Sequence, residues 1–162
     1  YNIKRVKVVD AGNSAGRIIF IDNQNYNNGI QLNQINGPES DLPVTFIFSA
    51  LKPVVLTGTI TGNVRMFFAG DFQFGMGTET VAYNGLTMFM SNGDMKICSS
   101  IWSYKNNPGG GFLSSDKDIT IVESASFQGQ IQCRGNFKTS GLIQFNDSVL
   151  KAPGFTVPKG MK

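Results

Sequence analysis

The stretch 86-LTMFMSNGDMKICSSIWSY-104 holds three short runs of strand-forming residues separated by Asn-Gly-Asp and by Ser-Ser. Phe, Ile, Thr and Tyr suit a pleated, half-buried surface. Gly-Asp and Gly-Asn supply turns that end one strand and start the next. Read this way, 86-LTMFMSNG-93, 94-DMKICSS-100 and 101-IWSY-104 are three sides of one turn of a coiled chain. The residues before them repeat the plan, with 63-NVRMFFAG-70, 71-DFQFGMG-77 and 78-TETVAYNG-85 forming the previous turn.

One phrase ties the turns together: Gly, then Asn or Asp, then apolar, then polar. It occurs as 62-GNVR-65, 70-GDFQ-73, 93-GDMK-96 and 135-GNFK-138, with 118-DITI-121 as a relative lacking the Gly. Asp71, Asp94, Asp118 and Asn136 succeed one another at 23, 24 and 18 residues. Such a spacing fits one coil of a parallel β-helix or stacked β-solenoid. The phrase at Gly62 breaks the long period, and any all-β chain carries Gly-Asp turns. A β-sandwich or jelly roll therefore stands as the alternative architecture.

Other alternating runs extend the all-β reading: 17-RIIFI-21, 44-VTFIF-48, 54-VVLTGTI-60, 64-VRMFF-68, 72-FQF-74, 79-ETVAY-83, 119-ITIV-122 and 142-LIQF-145. The most regular is 126-SFQGQIQC-133. It sets Phe127, Gly129, Ile131 and Cys133 on a core face and Gln128, Gln130 and Gln132 on an outward one. No window shows capped helical periodicity. Polar clusters at 22-DNQNYNNG-29 and 33-NQINGPESD-41 are expected to be exposed loops, 105-KNNPGGG-111 the most flexible stretch, and 151–162 an irregular tail. We expect a single β domain over 1–162, in which 1–52, lacking the phrase, forms a lead-in segment to a stacked core over 53–150.

Composition narrows the function. The chain has 162 residues, enough for a real core. Charged residues make up 15%, against roughly 25% in ordinary globular proteins, while Gly (19) and Phe (13) are abundant. Net charge is +3, and the basic cluster Lys4, Arg5, Lys7 is too small for a nucleic-acid stripe, so no nucleic-acid partner is expected. The most apolar run, 43–56, is short and carries Lys52 and Pro53, so no membrane insertion is expected. A start at Tyr1 rather than Met suggests a processed chain or an excised piece. Parity places Cys133 on the apolar face and Cys98 with Lys96 on the other, so both are expected as unpaired thiols.

Candidate chemistry is sparse. The chain has no histidine, which removes Ser-His-Asp and Cys-His nucleophile systems and the usual His-containing zinc sites. We expect no catalytic residue and no cofactor. Asp116 and Asp118 share a face if extended and are the weak candidates for a metal site or for a polysaccharide-cleaving pair; Glu39 and Asp41 have the same spacing in a loop. Solvated loop acids are the simpler reading of both pairs. The ligand-binding candidates are Trp102, Tyr104, Asn106 and Asn107, aromatic faces beside amides that suit a sugar platform. Core packing of Trp102 is the competing reading, because Ile101 and Ser103 make the weaker core face.

A charge-poor all-β chain rich in Gly, Asn, Ser, Thr and Gln, with textures such as 57-TGTITGN-63 and 134-RGNFKTSG-141, resembles virion appendage proteins, especially bacteriophage tail fibres and tailspikes. The resemblance lies mainly in 54–150 and matches no family motif. It implies stacked β-structure, a homotrimer, a virion location, and a role in building the appendage or in host attachment through a surface glycan. The alternative is a secreted carbohydrate-binding or adhesin module of a cell-surface protein, located outside the cell or on its surface.

Overall fold

The computed structural model describes residues 4–76, 80–81, 86–101 and 110–145. Among these there is no helix, and every strand pairing is parallel. A sheet of this kind cannot be closed by hairpins, since parallel neighbours need a crossover between them. The crossovers here are other strands. The first sheet takes every third strand of the early chain: β1 (Lys4–Val6), β4 (Ile30–Leu32), β7 (Val54–Leu56), β10 (Phe72–Phe74), β13 (Met95–Ile97), β16 (Ile119–Ile121) and finally β18 (Phe137–Thr139). A short sheet holds β2 (Val9–Asp10), β5 (Ile35–Asn36) and β8 (Ile60–Thr61).

The third sheet holds β3 (Ile18–Ile21), β6 (Val44–Phe48), β9 (Val64–Phe68), β12 (Leu86–Ser91), β15 (Gly110–Ser115) and β17 (Ser126–Cys133). Two short strands, β11 (Thr80–Val81) and β14 (Ser100–Ile101), and the last strand, β19 (Leu142–Phe145), join it through β17. β17 spans two sides of its turn. Phe127 pairs with Ile101 of β14, whereas Gly129 pairs with Gly111 of β15. The bend falls at Gly129, whose φ of 146° is one that side-chain-bearing residues rarely adopt.

In the described parts of the two turns read from the sequence, β9, β10 and β11 pair with β12, β13 and β14 in that order. The spacing also has its cause. Phe72, Met95, Ile119 and Phe137 stand in register on successive turns, so the residue before each faces its counterpart one turn away. The phrase at 62-GNVR-65 breaks the period because it opens β9, at a different corner from the one before β10 and β13. Pairing continues from β4 to β7, β5 to β8 and β6 to β9, across the expected boundary near residue 52.

Alternation sends one parity inward. The core is a continuous column of buried side chains from Ile30 to Phe127, including Phe46, Met66, Phe89 and Leu113 in neighbouring turns. Rings stack along it: Phe68 lies 4.0 Å from Phe72 and 5.2 Å from Phe48, and Phe89 lies 4.7 Å from Phe72. Such contacts add to the area that aromatics bury. Phe127 and Gly129 are buried and Gln128 is half-buried, as the alternation predicts, but further along β17 Ile131 and Cys133 are only half-buried, like Gln130, and Gln132 is exposed.

Several local expectations need correction. The polar segment 22–29 is not wholly exposed. Asn23 is 0% exposed, and its side chain accepts from the Ala50 N–H at 2.9 Å and donates to the Lys52 carbonyl at 3.2 Å. Within 33–41, Ile35 of β5 is buried. The glycine run ends in strand rather than loop, since Gly110 and Gly111 begin β15; the ring of Phe127 and the side chain of Ile101 close over Gly111, where a Cβ would meet both at 3.0 Å. Cys98 is buried despite sharing parity with Lys96, because β13 ends at Ile97 and alternation does not carry through the corner. Cys98 and Cys133 are both thiols and form no disulfide.

Candidate functional site

The outer face of the third sheet is unusual for a surface. Ile47, Phe67 and Met90 point away from the core on β6, β9 and β12 and stand in register, continued by Ser114 on β15. At the end of each strand the next residue outward belongs to the corner: Ser49, Ala69, Asn92 and Asp116. Together they bound an open groove of about 280 Å³. Its floor is a half-buried apolar row and its rim carries a hydroxyl, an amide and a carboxylate. Both rows run across the strands, so the groove lies along the stacking direction.

Among the described residues that line the groove one is charged, Asp116. Asp116 makes an ion pair with Arg134 at 3.4 Å, with both side chains largely exposed. On the same face Arg65 stands between Thr45 and Met88, and burial lowers its pKa from the usual arginine value. A groove with an apolar floor and a rim of hydroxyl, amide and carboxylate groups favours ligands that present C–H groups on one side and hydroxyls or amides on the other.

The corner leading into this groove is built by a device that repeats. Ser91 Oγ donates to the Gly70 carbonyl at 2.7 Å and accepts from the Gly93 N–H at 2.9 Å. One turn on, Ser115 Oγ donates to the Gly93 carbonyl at 2.7 Å and accepts from the Lys117 N–H at 2.9 Å. Cys133 takes the same place in the next turn, its thiol donating to the Lys117 carbonyl at 3.2 Å. Beside these runs a carboxylate ladder. Asp71 Oδ1 accepts from the Asp94 N–H at 2.9 Å, Asp94 Oδ1 from the Asp118 N–H at 3.2 Å, and Asp118 Oδ1 from the Asn136 N–H at 2.8 Å.

The expected site residues divide accordingly. Asp116 and Asp118 part company: the first borders the groove with Arg134, the second caps the next turn. Among the described residues no group of three or more Cys, Asp or Glu is placed to hold a metal ion. Glu39 and Asp41 are exposed and flank Ser40, whose carbonyl accepts from the Asn63 side chain and whose hydroxyl accepts from the Leu42 N–H at 3.2 Å. Trp102, Tyr104, Asn106 and Asn107 lie outside the described residues. Ile101, from the parity expected to be the weaker core face, is a core residue at 1% exposure.

The groove residues Phe67, Met90 and Asn92 were not singled out by sequence. Their signal was present: 44-VTFIF-48, 64-VRMFF-68 and 86-LTMFM-90 are apolar on both parities, as strands with two covered or sticky faces are. The chain matches no family model, no curated protein and no solved structure.

Proposed function

We propose that the chain is a parallel β-solenoid serving as a structural and receptor-binding component of a virion appendage of the tail-fibre or tailspike kind, assembled as a homotrimer, with a host-surface glycan as its ligand. The observation that carries the reading is the unbroken parallel ladder of the first sheet, from β1 to β18, in which each turn is bonded along its length to the next. A column of this design resists bending and gives a ligand groove a fixed geometry. The hydroxyl, amide and carboxylate of Ser49, Asn92 and Asp116 on the rim and the apolar row of Ile47, Phe67 and Met90 on the floor support a sugar ligand over a phosphate-bearing one.

Sedimentation and a glycan array test both halves. A trimer with array hits that weaken in Phe67→Ala and Asn92→Ala agrees with the proposal. A clean monomer with the same hits moves the protein to the secreted adhesin class. An array on which wild-type and both variants bind nothing removes the ligand half.

A further inference from the structure

An Asn-Gly pair is a weak point in any chain. The glycine nitrogen gives up its proton and bonds to the Asn side-chain carbonyl carbon, and the amide leaves as ammonia, closing a succinimide. Water then opens that ring at either carbonyl, leaving Asp or isoaspartate. Isoaspartate puts one extra carbon into the main chain. In stacked strands an added backbone atom pushes the downstream residues out of register.

Three such pairs fall within the described residues: Asn28-Gly29, Asn36-Gly37 and Asn92-Gly93. The fold cannot dispense with their glycines. A Cβ on Gly29 would stand 2.0 Å from the Pro53 carbonyl oxygen, one on Gly37 2.9 Å from the Thr61 oxygen, and one on Gly93 2.7 Å from the Asp71 backbone nitrogen. Close packing of one turn on the next therefore demands the residue that makes the preceding Asn labile.

In all three the reacting nitrogen is committed elsewhere. Gly29 N–H donates to the Tyr26 carbonyl at 2.7 Å, and Gly37 N–H to the Thr61 carbonyl at 2.7 Å. Gly93 N–H donates to Ser91 Oγ at 2.9 Å. The glycines are buried, whereas Asn28 and Asn92 are exposed, so water reaches the side chains but the nucleophile is held back. A nitrogen whose proton is bonded must lose its acceptor before it can be deprotonated and turn toward the side chain.

We infer that the hydrogen bonds donated by these glycine nitrogens, local at Gly29 and Gly93 and turn-to-turn at Gly37, guard the junctions against deamidation, and that the Ser91 hydroxyl is the guard at Asn92-Gly93. Ser91 has two tasks: it ties its corner to Gly70 of the previous turn, and it denies its own glycine nitrogen to the exposed Asn92 beside it. The inference stands whether or not the groove binds a glycan.

The test ages the whole chain in mildly alkaline buffer, folded and urea-unfolded, and measures isoaspartate and mass gain in the peptide around each junction. The folded chain is expected to convert at least about tenfold more slowly at all three sites, the ratio that about 1.4 kcal/mol of local opening corresponds to. Ser91→Ala is expected to raise conversion at Asn92 while leaving Asn28 and Asn36 at their folded rates, which also serve to show that the variant is folded. Amide exchange of Gly93 N–H in the unaltered chain gives a second reading and should be slow. Equal conversion at Asn92 in the folded and unfolded chains, or free exchange at Gly93, overturns the inference.

Discussion

Replacing Asp94 tests how successive turns are held at their corner. The Asp94 side chain accepts from the Asp118 N–H at 3.2 Å, while its own N–H donates to the Asp71 carboxylate at 2.9 Å. Asp94→Ala removes the upward bond and leaves the downward one. The site is exposed, so water replaces the lost acceptor, and the cost resembles that of deleting a side-chain helix cap, about 1 kcal/mol. In a chain of 162 residues that lowers the melting temperature by about 2–4 °C. Asp94→Asn keeps an acceptor oxygen in place, as Asn136 keeps a short polar side chain at the next corner but one, and should cost less than half as much. Thermal melts monitored by circular dichroism compare the three proteins, and amide exchange at Asp118 locates the effect. Equal destabilisation by Ala and Asn would refute the reasoning, because charge rather than the acceptor bond would then be what the corner requires.

Other substitutions probe other parts of the stack. Asn23→Ala leaves the Ala50 N–H and the Lys52 carbonyl without their partner in a buried setting; a loss of about 1–3 kcal/mol in urea unfolding is expected. Gly129→Ala forces a Cβ to within 1.9 Å of the Gly111 carbonyl oxygen at a φ of 146°. It should separate β15 from β17 and yield little soluble protein, and normal expression with an unchanged melt would contradict that geometry. Cys133→Ser puts a hydroxyl where Ser91 and Ser115 already bond the previous turn, so stability should change by no more than about 0.5 kcal/mol in a denaturant titration.

Much of the stacking was legible because its requirements are local. A corner that bonds to the corner below needs a small residue with a short acceptor-bearing side chain after it, and this is what Gly70-Asp71, Gly93-Asp94 and Gly135-Asn136 spell. The serine or cysteine three residues before each acceptor, at Ser91, Ser115 and Cys133, is equally local but was hidden by its variation: the first corner has Phe68 there instead. Strands β1, β2, β4, β5 and β18 escaped notice because each is three residues or fewer and stands among polar residues rather than beside or within a longer apolar run. The buried Asn23 was missed for a different reason. A polar run reads as solvent-facing, and only the return of the chain at Ala50–Lys52 supplies the carbonyls and N–H that make its burial tolerable. The groove stayed hidden because it is assembled from one residue of each turn, far apart in sequence and meeting only across the strands.

The two faces of the third sheet place opposed demands on the same strands, and the glycine column shows how they are reconciled. In β6 and β9 the position nearest the strand start is Val44 and Val64, both fully buried. By β15 and β17 the equivalent partners are Gly111 and Gly129. Shrinking this position lets Phe127 and Ile101 close over Gly111, so that the interior stays filled as the two sides of the coil merge into one bent strand. The outward row changes in step, from Ile47, Phe67 and Met90 to Ser114 and Gln132. The groove is thus formed by the middle turns, where the inner row is bulky, and its apolar row runs on toward the first turn to the exposed Phe20 of β3, in register with Ile47. A ligand bound there meets backbone held by bonds to turns on both sides, and its contacts can be altered at Phe67 or Met90 without touching the inward side chains that carry the fold.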